Sequence, residues 1–114
     1  MNSFLNLRLN KEFKRAYGRG KTFVDSAVVV YVLKTKRQQC RIGITTSKKL
    51  GCAVERNRAR RVITAAFRAC LPDIAVGCDI VFVARTRILK RKSTQIAEVF
   101  RKALAEAGVC EENI

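Results

Sequence analysis

The 114-residue chain contains no histidine and no tryptophan, a single proline, and only nine acidic residues. Without histidine there is no imidazole to act as a general base at neutral pH or to complete a mixed Cys/His zinc site. The carboxylates are scattered, and no Asp/Glu cluster suggests a two-metal site for phosphodiester cleavage, so the protein's own side chains are not expected to be catalytic or to ligate a metal. The five cysteines (Cys40, Cys52, Cys70, Cys78 and Cys110) include no C-x-x-C pair and are odd in number, and they read as reduced, mostly structural thiols. Pro72 follows a helical pattern instead of dividing two domains, and no repeat or Pro/Gly-rich linker interrupts the chain. Residues 1–114 are therefore expected to form one domain. The longest apolar run, Ala27 to Leu33, is far short of the ~20 residues needed to cross a bilayer. Residues Met1 to Arg8 also lack the charged start and apolar stretch of an export signal. A cytoplasmic protein with no membrane partner is the expectation.

What the chain has is positive charge on an apolar framework. Lys and Arg total 24, the formal net charge is +15, and 48% of residues are apolar. That apolar content supports a folded core, and self-repulsion of this size is tolerable mainly when a polyanion neutralises it. Nucleic acid is the default partner.

Pattern then places the charge on elements. Asn10 is positioned to cap a helix from Lys11 to about Arg19, with Phe13 and Tyr17 on one face. Strand patterns follow at Lys21 to Val24, Ala27 to Leu33 and Cys40 to Thr45, suggesting an antiparallel meander. In the second of these, Val28, Val30 and Val32 point to the core, while Ala27, Val29, Tyr31 and Leu33 fall on the face that Arg41, Gly43 and Thr45 mark as polar. That apolar surface needs a cover or a ligand. Ala53 to about Leu71 reads as a helix, Asp79 to Ala84 as a strand apolar on both faces, and a closing helix begins at Ser93 or Thr94. The order α-β-β-β-α-β-α indicates an α+β sandwich.

The middle helix carries the strongest signal. At ~100° per residue, Ala59, Val62, Ile63, Ala66, Phe67 and Cys70 form an apolar arc that packs on the sheet. Arg56, Asn57, Arg60, Arg61, Thr64 and Arg68 form a neighbouring arc, with Arg58 just outside it. Like charges at i, i+3 and i, i+4 destabilise a helix, and Glu55 is the only local counter-charge, so an external anion is the simpler explanation. Arginine's planar fork can pair two donors with one phosphate. Lys48 and Lys49 extend the patch into the preceding loop.

Ser47-Lys48-Lys49-Leu50-Gly51-Cys52-Ala53-Val54-Glu55-Arg56-Asn57-Arg58-Ala59-Arg60-Arg61 closely resembles the S-K-K-x-G-x-A-V-x-R-N-R-x-[KR]-R signature of the protein subunit of bacterial ribonuclease P. Arg8-Leu9, Phe13-(x)3-Tyr17, the strand holding Tyr31 and Val81-Phe82-Val83-Ala84-Arg85 extend the resemblance along nearly the whole chain. It implies an α+β fold of the ribosomal protein S5 domain 2 type, with a left-handed β-α-β crossover around the arginine helix. It also implies that an RNA subunit performs the cleavage, using Mg2+, while the protein holds the 5′ leader of precursor tRNA, with no further protein partner required. By the same resemblance, Phe13, Tyr17, Val29 and Tyr31 would line the leader cleft, and Lys48, Lys49, Arg56, Asn57, Arg58, Arg60, Arg61 and Arg68 would contact the catalytic RNA or the leader. Thr64 departs from the pattern, since many relatives are basic there; that phosphate contact is either missing or supplied by Arg68. A structural RNA-binding protein, such as a ribosomal one, fits composition and fold class equally well, and only the motif separates the two.

If the cysteines are all thiols, alkylation of anaerobically prepared, unfolded protein without reductant should modify all five. A persistent intramolecular bridge, seen as a mass lacking two adducts, would contradict this.

Overall fold

The computed structural model describes residues 3–110. A short strand β1 (Phe4–Asn6) precedes helix α1 (Asn10–Arg19), strands β2 (Lys21–Val24), β3 (Val28–Lys34) and β4 (Cys40–Thr45), helix α2 (Ala53–Cys70), strand β5 (Cys78–Ala84) and helix α3 (Ser93–Glu106). The expected element order is thus present, with β1 added before it. Short 3₁₀ turns occupy Lys48–Leu50, Leu71–Asp73 and Thr86–Lys90.

The sheet order is β1-β4-β5-β3-β2. This corrects the expected meander: β3 and β4 do not pair, because β5 lies between them, antiparallel to β3 and parallel to β4. A strand apolar on both faces belongs at the centre of a sheet, and β5 is that strand. The parallel pair β4 and β5 is joined through α2, which makes the β-α-β crossover.

One sheet face carries the main core. Val28, Val30, Val32, Ile42, Ile80 and Phe82 meet Ile63, Phe67, Phe100 and Leu104 from α2 and α3. Aromatic rings run through this layer: Phe4 sits edge-on to Phe67 at 5.2 Å, Phe67 lies 5.7 Å from Phe82, and Phe82 stacks on Phe100 at 4.5 Å. Ala27, assigned by strand parity to the opposite face, instead precedes β3 and is buried in this core.

Among the described residues the second face is covered by α1 and by Leu7 just before it, and an ion network holds the helix there. Nε and Nη2 of Arg41 donate to Oδ1 and Oδ2 of Asp79 at 2.9 and 2.7 Å, and Nη1 donates to Glu12 of α1. Asp79 is 1% exposed and Arg41 8%. Truncating one partner of such a pair strands a buried charge, which costs about 3–5 kcal/mol. Glu12 has a second role. Its Oε1 accepts from the backbone N–H groups of Arg8 and Leu9 at 3.0 and 2.8 Å, so it closes the first turn of α1. Asn10, expected as the cap, is instead the first helical residue, and Leu9 occupies the capping position. Gly43 completes the seat: a Cβ there would overlap the ring of Phe13.

The backbone N–H groups of Leu9 and Arg8, and then the Arg41 guanidinium, hold the Glu12 carboxyl below its ordinary value of 4.5. A depressed carboxyl stabilises the fold above the unfolded value and loses that contribution as pH falls through the folded one. Urea unfolding should therefore show Glu12→Gln less stable than the wild type at neutral pH, with the gap closing below pH 4.5. A gap independent of pH would mean that the charge of Glu12 contributes nothing.

Candidate nucleic-acid interface

The segment from Ser47 to Arg61 folds as its residue types require. Ser47 Oγ accepts from the N–H of Lys49 at 3.3 Å, which starts the 3₁₀ turn. Gly51 follows at φ 123°, a conformation that L side chains rarely adopt, and a Cβ there would press on Glu55 at 2.7 Å. Glu55 reaches back from the first turn of α2 and accepts from both the N–H and the thiol of Cys52 at 2.7 Å. These bonds, the thiol foremost, lower its pKa. Glu55 is thus committed to the helix end, and it forms no ion pair with the arginines.

Along α2 the apolar arc is placed as its period demands. Ala59, Ile63, Ala66, Phe67 and Cys70 are buried and Val62 half-buried. Asn57, Arg58, Arg60, Arg61 and Arg68 are exposed, while Arg56 and Thr64 are half-buried. At 1.5 Å per residue, Arg56 and Arg68 stand about 18 Å apart. Among the described residues the ion pairs are those of Arg41, so no arginine of α2 has a carboxylate partner. Arg68 differs from the others, since its guanidinium lies 5.3 Å over the ring of Phe4. Arg56 differs too: its Nε is shielded from solvent with no partner among the described residues. Lys48 and Lys49 are exposed on the 3₁₀ turn just before α2.

The sheet face under α1 holds the other expected group. Register sets Tyr31, Val81 and Gly43 side by side across three strands, and Val29, Val83 and Thr45 in the next row. Leu7, Ala16 and Val81 form a small buried cluster flanked by Phe13, Tyr31 and Val83. Phe13 sits over Gly43, and Tyr17 meets Tyr31 edge-on at 4.8 Å while remaining 39% exposed. The Tyr17 and Thr45 hydroxyls are 3.3 Å apart. Phe13, Tyr17 and Tyr31 are therefore brought together, with Val29 one row away and half-buried. Strand parity also puts Thr45 on this face, although its residue type alone does not mark it as a site residue. Gly43 carried a weaker signal, a lone glycine inside a strand pattern.

The two groups converge at one end of the sheet. β4 and β5 both finish there, at Thr45 and Ala84, and Val28 opens β3 opposite Ala84. Lys48, Lys49 and the first turn of α2 follow directly from Thr45. Asp25, Glu98 and Glu106 line a separate groove of about 590 Å³ between β2 and α3. Among the described residues no set of three or more Cys, Asp or Glu side chains is arranged to hold a metal ion, and no helix is long and apolar enough to cross a membrane. This geometry offers an unneutralised arginine face beside an aromatic-lined, part-covered surface, an arrangement suited to phosphates and unstacked bases.

Comparison with known proteins gives a consistent result. The family model for ribonuclease P matches residues 1–108. The ribonuclease P protein component of Clostridium beijerinckii is 36% identical over 110 residues, covering 90% of this chain and 88% of that one. That of Clostridioides difficile is 44% identical over 80 residues, covering 69% and 70%. The structure of the Staphylococcus aureus RNase P protein superposes with a TM-score of 0.80 at 31% identity, covering 96% of this chain and 100% of that one. The Thermotoga maritima protein gives 0.76 at 27% identity, covering 89% and 96%.

An anion bound along α2 should be held mainly through phosphate contacts, so its affinity should fall steeply with salt. Arg60→Ala should lower the slope of log K against log[salt] by roughly 0.7 to 0.9, the value for one lost phosphate contact. An unchanged slope would remove Arg60 from the interface.

Proposed function

Since this chain belongs to the ribonuclease P protein family, as a protein component of the tRNA-processing endoribonuclease, we propose that it binds the catalytic RNA and holds the 5′ leader of precursor tRNA. In this reading the RNA subunit performs the cleavage with its own Mg2+, in the cytoplasm, and no other protein is required. Arg56, Asn57, Arg58, Arg60, Arg61, Lys48 and Lys49 supply contacts to RNA backbone, with Arg68 at the far end of the same helix. Phe13, Tyr17, Val29 and Tyr31 line the leader cleft.

The observation that carries the proposal is the pairing of an arginine face lacking any carboxylate partner with an exposed aromatic edge at the same end of the sheet. A structural RNA-binding protein would need the first of these features but not the second. Tyr17 is the sharper indicator. Its hydroxyl needs no exposed ring to reach Thr45, yet the ring stays open beside Tyr31, where a base can stack.

Tyr17→Ala should weaken holoenzyme binding of precursor tRNA with a leader of several nucleotides by on the order of 1 to 3 kcal/mol. Binding of mature tRNA should hardly change, and thermal melting of the free protein should shift little. Equal losses for both RNAs together with a large fall in melting temperature would make Tyr17 a packing residue instead of a cleft residue.

A further inference from the structure

A second concentration of positive charge lies outside α2 and outside the cleft. After β5 the chain reads Arg85-Thr86-Arg87-Ile88-Leu89-Lys90-Arg91-Lys92, five cations in eight residues. Ile88 is buried and Leu89 half-buried, so the 3₁₀ turn is anchored by its apolar side. Its period of three residues brings Arg87 and Lys90 to the same side, both exposed. Thr86, Arg87, Lys90 and Arg91 line a concavity of about 520 Å³ with no carboxylate in its wall. Nη2 of Arg91 donates to Ser26 Oγ at 3.4 Å, which fixes one wall. Among the described residues none of the five cations has an ion-pair partner.

The turn packs against both α2 and the Lys48–Leu50 turn. Arg91 also borders the groove between β2 and α3, on the side of the sheet that α2 and α3 cover. The concavity therefore opens at the same end of the sheet as the cleft but toward the opposite face, beyond Lys48 and Lys49. The cleft lies under α1, whereas the turn that forms the concavity is packed against the arginine helix, so a backbone held along α2 has this cationic turn beside it.

We propose that the concavity lined by Thr86, Arg87, Lys90 and Arg91 is a second phosphate site, and that its ligand is the sugar-phosphate backbone of the catalytic RNA. Arg87 and Lys90 contact successive or facing phosphates, Arg91 closes the rim, and the Thr86 hydroxyl adds a neutral donor. This rests on the RNA-binding reading above but not on the leader cleft. The shared chemistry, an RNA phosphate, could come from catalytic RNA or from precursor tRNA, and the experiment separates them.

Full-length protein is titrated against catalytic RNA alone over a salt series. Arg87→Gln/Lys90→Gln should make the slope of log K against log[salt] shallower by about 1.4 to 1.8, two contacts at the usual value. Arg101→Gln/Lys102→Gln on α3, which removes the same charge elsewhere, should leave the slope unchanged. Both pairs are exposed, so melting temperatures should match the wild type. An unchanged slope for the first pair, or an equal drop for both, would overturn the site. A loss confined to holoenzyme with leader-bearing precursor would overturn its assignment to catalytic RNA. No tRNA enters the first assay, so failure of the cleft reading would appear only with Tyr17→Ala, and failure of the wild type to bind catalytic RNA would overturn the RNA-subunit reading itself.

Discussion

The guanidinium of Arg41 is the point on which the second sheet face depends. It is buried, paired by two bonds to Asp79 on the neighbouring strand and by a third to Glu12 on the helix above. Lysine could not replace it, because a single ammonium cannot present a planar fork to one carboxylate while reaching another. Asp79 hydrogen-bonds the charge within the sheet, which keeps burial from being prohibitive, and burial in turn fixes the geometry. Glu12 transmits that geometry to α1, since the same carboxylate ties the start of the helix through Leu9 and Arg8. With α1 pinned over Gly43 by Phe13, Tyr17 is carried to the edge of Tyr31, and the row Val29, Val83, Thr45 is left beside it.

The same network uses two of the nine carboxylates in a chain of net charge +15, and capping α2 takes a third, Glu55. Asp25, Glu98 and Glu106 line the groove between β2 and α3. The arginines of α2 are therefore left with repulsion along the helix, which costs a few tenths of a kcal/mol per adjacent pair. Burial of Ile63 and Phe67 against the sheet outweighs it, at roughly 1.5–3 kcal/mol for each large side chain. Packing on one side of α2 thus permits an unneutralised charge on the other, and an incoming polyanion relieves it.

Local periodicity explains what could be read before the structure. The buried arc of α2 and the inward Val28, Val30 and Val32 follow from repeats of 3.6 and 2.0 residues, which need only neighbouring positions. Strand partners are a different matter, because pairing joins residues far apart in sequence. β3 and β4 are separated by a short polar turn and resemble a hairpin, yet β5, some 40 residues later, takes the place between them. Its apolar character on both faces was the clue. Arg41 was legible as an outward position but not as a buried one, since Asp79 and Glu12 reach it only through tertiary structure. The cap of α1 shows a local competition: Asn10 is a good capping type, but the carboxylate of Glu12 satisfies the same N–H groups from inside the helix. Gathering the aromatic edge, the lysine turn and the first turn of α2 at one end of the sheet also required knowing that β4 and β5 run parallel.

In the proposed reading the face under α1 receives the 5′ leader, while the arginine face of α2 contacts RNA backbone. Photocrosslinking tests it most directly: a thio-substituted nucleotide is placed at successive leader positions of precursor tRNA, the holoenzyme is irradiated, and the attached peptides are identified by mass spectrometry. Leader adducts are expected on the peptides holding Tyr17 and the Val29 to Tyr31 segment, lost when the leader is removed. Leader adducts on α3 or β2 instead, or none on the protein at any position, would contradict it.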